Sequence, residues 1–431
     1  MPPAESLFLG IDLGTSGCRL CLIDARGELQ HQQQADLPPP AIIAGHRTQQ
    51  PHHWWHALET LLQALPEKPR IAALAVDGTS ATVLGLDRQQ AVLGPALMYN
   101  DNANRQAAED IARLAPADNP ARSASSALAK LLTLRQAHGR RLQRVVTQAD
   151  WIAGRLAGRY DFTDENNALK LGYDPLARCW PDWLEALHAA PLLPTRVLEP
   201  GTPAARLSKA MARRLDLPAD LVIVAGTTDS IAATLASGAG EVADAVTSLG
   251  STLAIKLFSK RPVFAAEYGV YSHRLGRQWL VGGASNSGGA VLRQFFSDEE
   301  MRALTPRLQP TRPTGLDYYP LPATGERFPV NDPQLAPRIH PRPDDPVVFF
   351  QALLEGIAAI EARAYRLLQQ LGAPYPRRVF SSGGGAGNPA WQAIRRRALG
   401  VDVLLAPQQQ AAYGAALLAR QGFLARLQET Q

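Results

Sequence analysis

The stretch that decides the fold is LFLGIDLGTSGCRLCLID, at residues 7–24. Its first part, Leu7–Leu13, is almost entirely apolar and predicts a buried strand. The run Gly14-Thr15-Ser16-Gly17 is a turn signal, and residues 19–24 continue as a second extended segment. The stretch therefore predicts two strands that are joined by a glycine turn.

The residues that follow extend this pattern into a domain. Residues 28–36 continue extended, residues 52–65 have the spacing of an amphipathic helix, and residues 71–76 form an apolar strand. This last strand ends at Asp77-Gly78-Thr79-Ser80. Three strands in a meander, then a helix and a further strand, predict the start of a ribonuclease-H-like α/β domain.

The opening pattern returns in the second half of the chain. Residues 244–249 are extended, Gly250-Ser251-Thr252 forms a turn, and residues 253–258 are extended again. This approximate internal repeat predicts a second domain of the same type. We therefore expect an α/β fold with two ribonuclease-H-like domains that face each other across a cleft.

The length of the chain agrees with this duplication. A chain of 431 residues exceeds the size that one hydrophobic core usually serves. We predict that residues 1–236 form the first domain, which carries the first glycine turn, and that residues 237–410 form the second. A helix at residues 411–431 closes the chain, and we expect it to pack back on the first domain.

Composition excludes several classes of protein. No apolar run approaches the ~20 residues that span a bilayer, and residues 1–6 lack the features of a secretory signal. The formal charge is +5, but the basic residues are scattered, so we expect no nucleic-acid or membrane partner. We interpret the densest basic cluster, Arg395-Arg396-Arg397, as a solvated helix face. We expect a cytoplasmic protein.

The chain has three cysteines, and two of them have CxxC spacing. Cys18 and Cys21 fall in the second predicted strand, where an odd separation places side chains on opposite faces. This spacing argues against a metal or redox role for the pair.

The two glycine turns are the first candidate binding residues. Glycine lets backbone N–H groups approach phosphate oxygens, and the hydroxyl groups of Thr and Ser add further donors. Either turn alone, Gly14-Thr15-Ser16 or Gly250-Ser251-Thr252, is more often an ordinary hairpin turn. Their equivalent positions in a duplicated fold favour phosphate binding, and the chain contains no GxxxxGK[ST] loop.

Two aspartates are candidates for the chemistry. Asp12 ends an apolar strand beside the first turn, where a carboxylate suits Mg²⁺; the alternative is an aspartate that caps the turn. Asp229 follows a buried strand and opens a helix, so its side chain is expected in a crevice at the strand end. There it can act as a general base, although Thr228 and Asp229 are also good N-cap residues.

A third glycine-rich region lies near the end of the second predicted domain. The run at residues 383–387, which includes Gly384 and Gly385, leaves room for a flat ring against the backbone. Asn388 follows as a candidate contact for a base or ribose, and Trp391 is either a ring partner or a core residue. Gly288-Gly289 contribute to a further glycine-rich wall.

Taken together, these segments resemble the FGGY carbohydrate kinases, which belong to the actin-like ATPase superfamily. The first phosphate motif is similar to residues 10–16, GIDLGTS, and the second to residues 247–252, TSLGST. Residues 382–391, SGGGAGNPAW, look like the adenosine motif, and residues 226–229, GTTD, look like the segment with the catalytic aspartate. The resemblance covers nearly the whole chain.

The resemblance implies an ATP-dependent sugar kinase that transfers the γ-phosphate to a sugar hydroxyl, with Mg²⁺. It implies that Asp229 is the base, that Asp12 is linked to the metal, and that the active site lies between the domains and closes on substrate. ATP and a small-molecule sugar are then the expected partners. The oligomeric state does not follow from the sequence.

Within the family, the short chain looks most like the plant and cyanobacterial D-ribulose kinases, which resemble xylulose kinases. Residues 164–174 and 282–286 support this branch, in which Asp12, Ser80 and Asp229 are expected to hold the sugar. We count Ser16 and Asp101 with these substrate contacts, and Ser16 also with the phosphate contacts.

One segment departs from the family pattern. Many members carry W-x-D-x-R, whereas residues 98–103 read MYNDNA and keep the acid, Asp101, with Tyr99 for the Trp and Ala103 for the Arg. Xylulose, ribitol and glycerol therefore stay open as alternative acceptors. A protein that binds sugar and ATP without turnover is the alternative from another class, and an intact Asp229 argues against it.

Overall fold

The structure is a computed structural model that describes residues 5–429. The described chain divides into two compact units. The first unit comprises residues 5–236 together with the C-terminal segment that starts at residue 410, and the second unit comprises Ser237–Gln409.

Before the C-terminal segment, the described part of the first unit contains strands of three sheets and eight α-helices. The strands are β1 (Leu7–Leu13), β2 (Gly17–Ile23), β3 (Leu29–Asp36), β4 (Ala41–Ile43), β5 (His46–Gln49), β6 (Ile71–Gly78), β7 (Val83–Leu86), β8 (Ala96–Leu97), β9 (Arg144–Thr147), β10 (Phe162–Asp164), β11 (Arg196–Leu198), β12 (Pro203–Arg206) and β13 (Val222–Thr228). The helices are α1 (Pro51–Ala64), α2 (Arg105–Ala112), α3 (Ala127–His138), α4 (Gln148–Ala157), α5 (Glu165–Ala168), α6 (Trp183–Ala186), α7 (Lys209–Leu215) and α8 (Asp229–Ala236).

The central sheet of the first unit has the order β12-β13-β6-β1-β2-β3. All residues of β1 are buried, because this apolar strand lies in the middle of the sheet with side chains packed on both faces. Strand β1 pairs antiparallel with β2 and parallel with β6, and β6 pairs parallel with β13. A second sheet has the order β4-β5-β8-β7-β9, and β10 pairs with β11.

The second unit is built around one sheet. Its strands are β14 (Asp244–Leu249), β15 (Leu253–Ser259), β16 (Tyr271–Leu275), β17 (Gln278–Ser285), β18 (Arg378–Ser382) and β19 (Asp402–Leu405). Its helices are α9 (Gly289–Leu292), α10 (Asp298–Leu304), α11 (Pro346–Gln370) and α12 (Pro389–Leu399). The spatial order of the strands is β16-β17-β15-β14-β18-β19.

The two central sheets share one topology. In each, an antiparallel hairpin with a glycine turn (β1–β2 and β14–β15) is flanked by a third antiparallel strand on one side. On the other side lie two parallel strands, β6 and β13 in the first unit and β18 and β19 in the second. The predicted fold class, α/β with two ribonuclease-H-like domains, is confirmed.

The last helix, α13 (Ala411–Glu429), packs on the central sheet of the first unit. Ala412, Ala416 and other small residues of this helix are buried against Phe8 and Val224. A Cβ atom on Gly10 would lie 1.8 Å from the carbonyl oxygen of Ala412. The absence of a side chain at Gly10 therefore allows the helix backbone to touch the sheet.

Candidate active site

Three adjacent parallel strands of the first unit end with polar residues at the same edge of the sheet. Asp12 in β1 is the register partner of Asp77 in β6, and Asp77 is also the register partner of Thr227 in β13. Helix α8 begins with Asp229 directly after β13. The topology therefore brings the three aspartates together at the carboxyl ends of the strands, where open α/β sheets bind ligands.

Asp12 is a nearly buried carboxylate with a cationic partner. Its exposure is 4%, and Nη1 of Arg19 lies 3.1 Å from its Oδ2. Burial raises the pKa of Asp12, while a hydrogen bond with Asp77 and the charge of Arg19 oppose this rise. These two partners favour the ionised form of Asp12 within the cluster.

Asp77 is fully buried, and the sequence analysis did not assign it a function. Burial raises the pKa of Asp77 well above its usual value, and the carboxylates of Asp12 and Asp229 raise it further. Its oxygens accept no hydrogen bond from the N–H and O–H groups of the described chain. The raised pKa favours the neutral, protonated form of Asp77. An acidic residue at the end of a neighbouring apolar strand was the available sequence signal.

Asp229 is the more accessible member of the three carboxylates. It is partly exposed at the first position of α8, and the backbone N–H of Ser230 donates to its Oδ1 over 2.6 Å. The preceding Thr227 accepts a hydrogen bond of 3.0 Å from Nδ2 of Asn166. An accessible carboxylate on such an anchored segment is suited to accept a proton from a hydroxyl group.

Ser80 lies two residues beyond β6 on an ordered segment. The hydroxyl and the backbone N–H of Thr79 both donate to Oε1 of Gln148, over 2.7 and 2.9 Å. The hydroxyl groups of Thr79 and Thr82 lie 2.6 Å apart. Ser80 itself is half-buried, so the segment presents its side chain near the end of β6.

The first glycine turn is held by backbone contacts. The N–H of Gly14 donates to the carbonyl of Gly17 over 3.0 Å. The carbonyl of Thr15 accepts from Nε2 of Gln49, and the carbonyl of Ser16 accepts from the N–H of Leu37. The side chain of Ser16 is exposed, which leaves it accessible to a ligand.

Asp101 is a buried carboxylate with three hydrogen-bond partners. It is 1% exposed, Nδ1 of His46 lies 2.8 Å from its Oδ2, and Nδ2 of Asn104 donates to the same oxygen. The N–H of Arg47 donates to its Oδ1. Burial acts to raise the pKa of Asp101, but these hydrogen bonds hold it below its usual value. As a sugar contact Asp101 stays a prediction; these three bonds leave one acceptor position of the carboxylate, on Oδ1.

The glycine segments of the second unit converge through backbone hydrogen bonds. The N–H of Gly289 donates to the carbonyl of Gly250 over 2.8 Å, and the N–H of Gly385 donates to the carbonyl of Leu249 over 3.2 Å. They border a cavity of about 760 Å³. The predicted residues that line it are Gly250, Ser251, Gly289, Gly384, Gly385, Asn388 and Trp391. Thr252 and Gly288 adjoin these residues in the chain but do not line the cavity.

Asn388 and Trp391 combine structural roles with a place at this cavity. Oδ1 of Asn388 accepts the N–H of Trp391 over 3.0 Å and so caps α12, while its Nδ2 donates to the hydroxyl of Thr305. Trp391 is 3% exposed and packs on Gly385, where a Cβ atom would lie 2.4 Å from the ring. Trp391 is therefore a core residue whose edge contributes to the cavity wall.

The cavity also contains residues that the sequence did not single out. Arg293, Met301, Arg302 and Thr305 line it. Asp298 lines it as well and lies 3.3 Å from Nε of Arg293, so the two arginines leave an excess of one positive charge. Met301, Arg302 and Thr305 lie in or next to the amphipathic helix α10, whose pattern does not distinguish a cavity wall from a solvated face.

The interpretation of the basic cluster at residues 395–397 as a solvated helix face is wrong for Arg395. Arg395 is fully buried rather than solvated, and its guanidinium group donates to both carboxylate oxygens of Glu361 over 2.6 and 2.7 Å. It also donates to Oγ of Ser381 in β18. Thr247 in β14 donates to Glu361 as well. This buried network joins the two strands that precede the glycine segments.

The strand order and the glycine turns define the class of ribonuclease-H-like, actin-like ATPase domains. The model of the FGGY family of carbohydrate kinases, N-terminal domain, matches residues 7–236, and the model of the C-terminal domain matches residues 245–421. The chain belongs to the FGGY family of carbohydrate kinases. It is an ATP-dependent sugar or polyol kinase, and thus a phosphotransferase.

Individual relatives agree with this assignment. The chain is 25% identical over 409 residues to a xylulose kinase of Escherichia coli (strain K12), which covers 90% of this chain and 83% of the relative. It is 24% identical over 365 residues to a gluconokinase of Bacillus subtilis (strain 168), covering 77% and 70%.

Solved structures show the same fold. A xyloylose kinase from Brucella ovis has a TM-score of 0.88 at 24% identity, over 97% of this chain and 91% of that one. A glycerol kinase from Plasmodium falciparum with ADP has a TM-score of 0.83 at 15% identity, over 96% and 89%. Among the described residues, no helix has the length and apolar character to cross a membrane.

Proposed function

We propose that this chain transfers the γ-phosphate of ATP to a ketopentose, with D-ribulose as the preferred acceptor. The observation that carries the proposal is the edge of the first sheet where Asp12 lies near the end of β1, Ser80 follows β6 and Asp229 follows β13. Hydroxyl and carboxylate groups at one edge suit a substrate that presents several hydroxyl groups.

In this proposal Asp229 is the general base. Its partly exposed carboxylate accepts the proton of the attacking hydroxyl group as the bond to phosphorus forms. The raised pKa of Asp77 favours its neutral form, which lowers the negative charge next to Asp12 and Asp229. Arg19 further compensates the charge of Asp12.

We propose that ATP occupies the cavity of the second unit and that Asp12 supports Mg²⁺. Backbone N–H groups at Gly250 and Ser251, together with the positive charge of Arg293 and Arg302, suit phosphate oxygens. The described residues contain no cluster of three or more metal ligands. This fits Mg²⁺, because the ion is commonly held by one or two carboxylates with phosphate oxygens and water. When bound, the ion would neutralise phosphate charge.

The alternative acceptor is D-xylulose, since several relatives are xylulose kinases. We favour D-ribulose because residues 98–103 depart from the W-x-D-x-R pattern, with Tyr99 for the Trp and Ala103 for the Arg. We also propose a cytoplasmic location, which suits the free thiols of Cys18, Cys21 and Cys179.

The test is ATP turnover with a panel of acceptors and Mg²⁺: D-ribulose, D-xylulose, ribitol, glycerol and gluconate. We expect the highest kcat/KM with D-ribulose. Asp229→Ala should lower sugar-dependent kcat by about 10²–10⁴-fold, because the proton acceptor is lost. Nucleotide affinity, measured by calorimetry, should stay near that of the wild type.

Ser230→Ala is the matched control. It removes an exposed hydroxyl group but keeps the backbone N–H that binds Asp229, so its turnover should remain normal. Normal sugar phosphorylation by Asp229→Ala would refute the base assignment. A higher kcat/KM with D-xylulose than with D-ribulose would show that D-xylulose is the preferred acceptor. The absence of turnover with every acceptor of the panel would refute the proposal that the chain phosphorylates any of them.

A further inference from the structure

Lys130 is a fully buried lysine that none of the steps above uses. It lies in α3, and its side chain has 0% exposure. Its ammonium group donates to the carbonyl oxygens of Ala81 over 2.9 Å, Ser125 over 2.8 Å and Tyr99 over 3.4 Å. A buried lysine is rare unless its donors are satisfied, and here three carbonyl groups satisfy them.

The partners of Lys130 are backbone groups rather than a carboxylate. Among the described residues, no acidic side chain lies within ion-pair distance of its Nζ. Burial, together with the charge of Lys170, lowers the pKa of Lys130 to about 7, against the opposing charge of Asp101. Three carbonyl acceptors match the three N–H groups of an ammonium ion, whereas a neutral amine has only two.

Two of these carbonyl groups belong to the segments with the proposed sugar contacts. Ala81 follows Ser80 directly and has a left-handed backbone, with φ of 68°. Tyr99 lies two residues before Asp101, and its N–H donates to the hydroxyl of Thr82 over 2.9 Å. Lys130 and Thr82 therefore connect the segment after β6 with the segment after β8.

A left-handed alanine is unfavourable by itself, so contacts around it must maintain that conformation. Without the ammonium group, the carbonyl oxygens of Ala81 and Tyr99 would lose their charge-assisted hydrogen bonds. An unpaired buried carbonyl group is costly, and a shift of its segment toward water would relieve that cost. A shift at Ala81 would move the adjacent Ser80, and a shift at Tyr99 would move Asp101.

We propose that Lys130 is a positioning residue for the sugar site, which holds the backbone at Ala81 and Tyr99 so that Ser80 and Asp101 keep their places. This inference rests on the proposed function for the identity of the site. Its structural part, the ordering of two segments by one ammonium group, stands on the contacts of Lys130 alone.

The experiment compares Lys130→Met with Arg135→Met. Arg135 lies in the same helix and donates to the backbone carbonyl of Leu187, a residue that belongs to neither segment. Lys130→Met should raise the KM for sugar about tenfold or more, while the KM for ATP changes less than about twofold. Arg135→Met should leave both constants near wild type.

Amide hydrogen exchange provides the second readout. In Lys130→Met, exchange should increase in residues 79–82 and 98–101, and should stay unchanged in the second unit. If Lys130→Met does not yield folded protein, Lys130→Gln serves instead, because its amide keeps two N–H donors. This variant should show a smaller rise in the KM for sugar with the same selectivity over ATP.

Three outcomes would overturn the inference: an unchanged KM for sugar, an equal rise in both KM values, or unchanged exchange in the two segments. The proposed function fails separately, if the wild type shows no sugar-dependent turnover. In that case the exchange measurement still decides whether Lys130 orders the two segments.

Discussion

Asp12 and Asp77 lie side by side because their strands, β1 and β6, pair in parallel and the two residues are register partners near the strand ends. Two ionised carboxylates at this distance in a buried place would repel each other strongly. Burial and the neighbouring carboxylates raise the pKa of Asp77, which favours its neutral form, and Arg19 is a cationic partner for Asp12. Both effects reduce the repulsion within the buried pair, which lies next to the more accessible Asp229.

Arg395 and Glu361 show the opposite solution at the residue scale. Both charges are kept, and both side chains have 0% exposure. Removing one member of a buried pair leaves an uncompensated charge, so Arg395→Met should lower the free energy of unfolding by about 3–5 kcal/mol. Chemical denaturation of the full chain, compared between the wild type and the variant, measures this change.

Arg396→Met is the matched control, because Arg396 is the next residue of α12 and its side chain is 54% exposed. Its effect should stay within about 0.5 kcal/mol of the wild type. An equal decrease in the free energy of unfolding for both variants would contradict a stabilising role of the buried Arg395 pair.

At the scale of the elements, β14 is anchored at its first residue. Asp244 is buried, and it accepts hydrogen bonds from the side chains of Arg377 and Arg378 and from the N–H groups of Gly240 and Glu241. Burial acts to raise the pKa of Asp244, but these partners together hold it below its usual value. The anchor sets where β14 begins, and the second glycine turn follows at its other end.

This anchor predicts an acid dependence of stability. A lowered pKa in the folded state means that Asp244 stabilises the second unit above the unfolded value of 3.8, and that this contribution is lost as the pH falls through the folded-state pKa. Asp244→Asn removes the titrating group. The variant should be less stable at pH 7, and its free energy of unfolding should fall less steeply below about pH 4.

Asp402→Asn is the control for this series, since Asp402 begins β19 with a side chain that is 75% exposed. Denaturation curves at several pH values compare the three proteins. The same acid dependence in the wild type and Asp244→Asn would argue against a depressed pKa.

At the scale of the whole molecule, one topology occurs twice but carries different side chains. The strand ends of the first unit present carboxylates and hydroxyl groups, such as Asp12, Ser80 and Asp229. The corresponding region of the second unit presents glycines around a cavity with arginines. We propose that the two copies are chemically specialised, the first for a polyhydroxy ligand and the second for a phosphorylated one.

This division predicts different footprints for the two ligands in hydrogen exchange. D-Ribulose alone should protect residues 77–82 and 227–230, because it binds the first unit. A non-hydrolysable ATP analogue alone should protect residues 249–252 and 383–388. Protection of one and the same unit by both ligands would contradict the specialisation, and omission of Mg²⁺ should weaken only the nucleotide footprint.

The sequence by itself determined the fold class and the family. The apolar strands and glycine turns at residues 7–17 and 244–252 are local patterns, and their recurrence was visible without coordinates. The repeated strand order and the family matches confirm these inferences. Local patterns suffice here because alternation and turn chemistry depend on neighbouring residues.

Only the tertiary structure decided the surroundings of individual side chains. Asp77, Lys130 and Arg395 are ordinary polar residues in the sequence, and their roles depend on partners in distant segments: Asp12, Ala81 and Glu361. The hydrogen bond between His46 and Asp101 likewise joins residues that are 55 positions apart in the sequence. Burial and hydrogen bonding are properties of packing, which brings such segments together, so a linear pattern does not contain them.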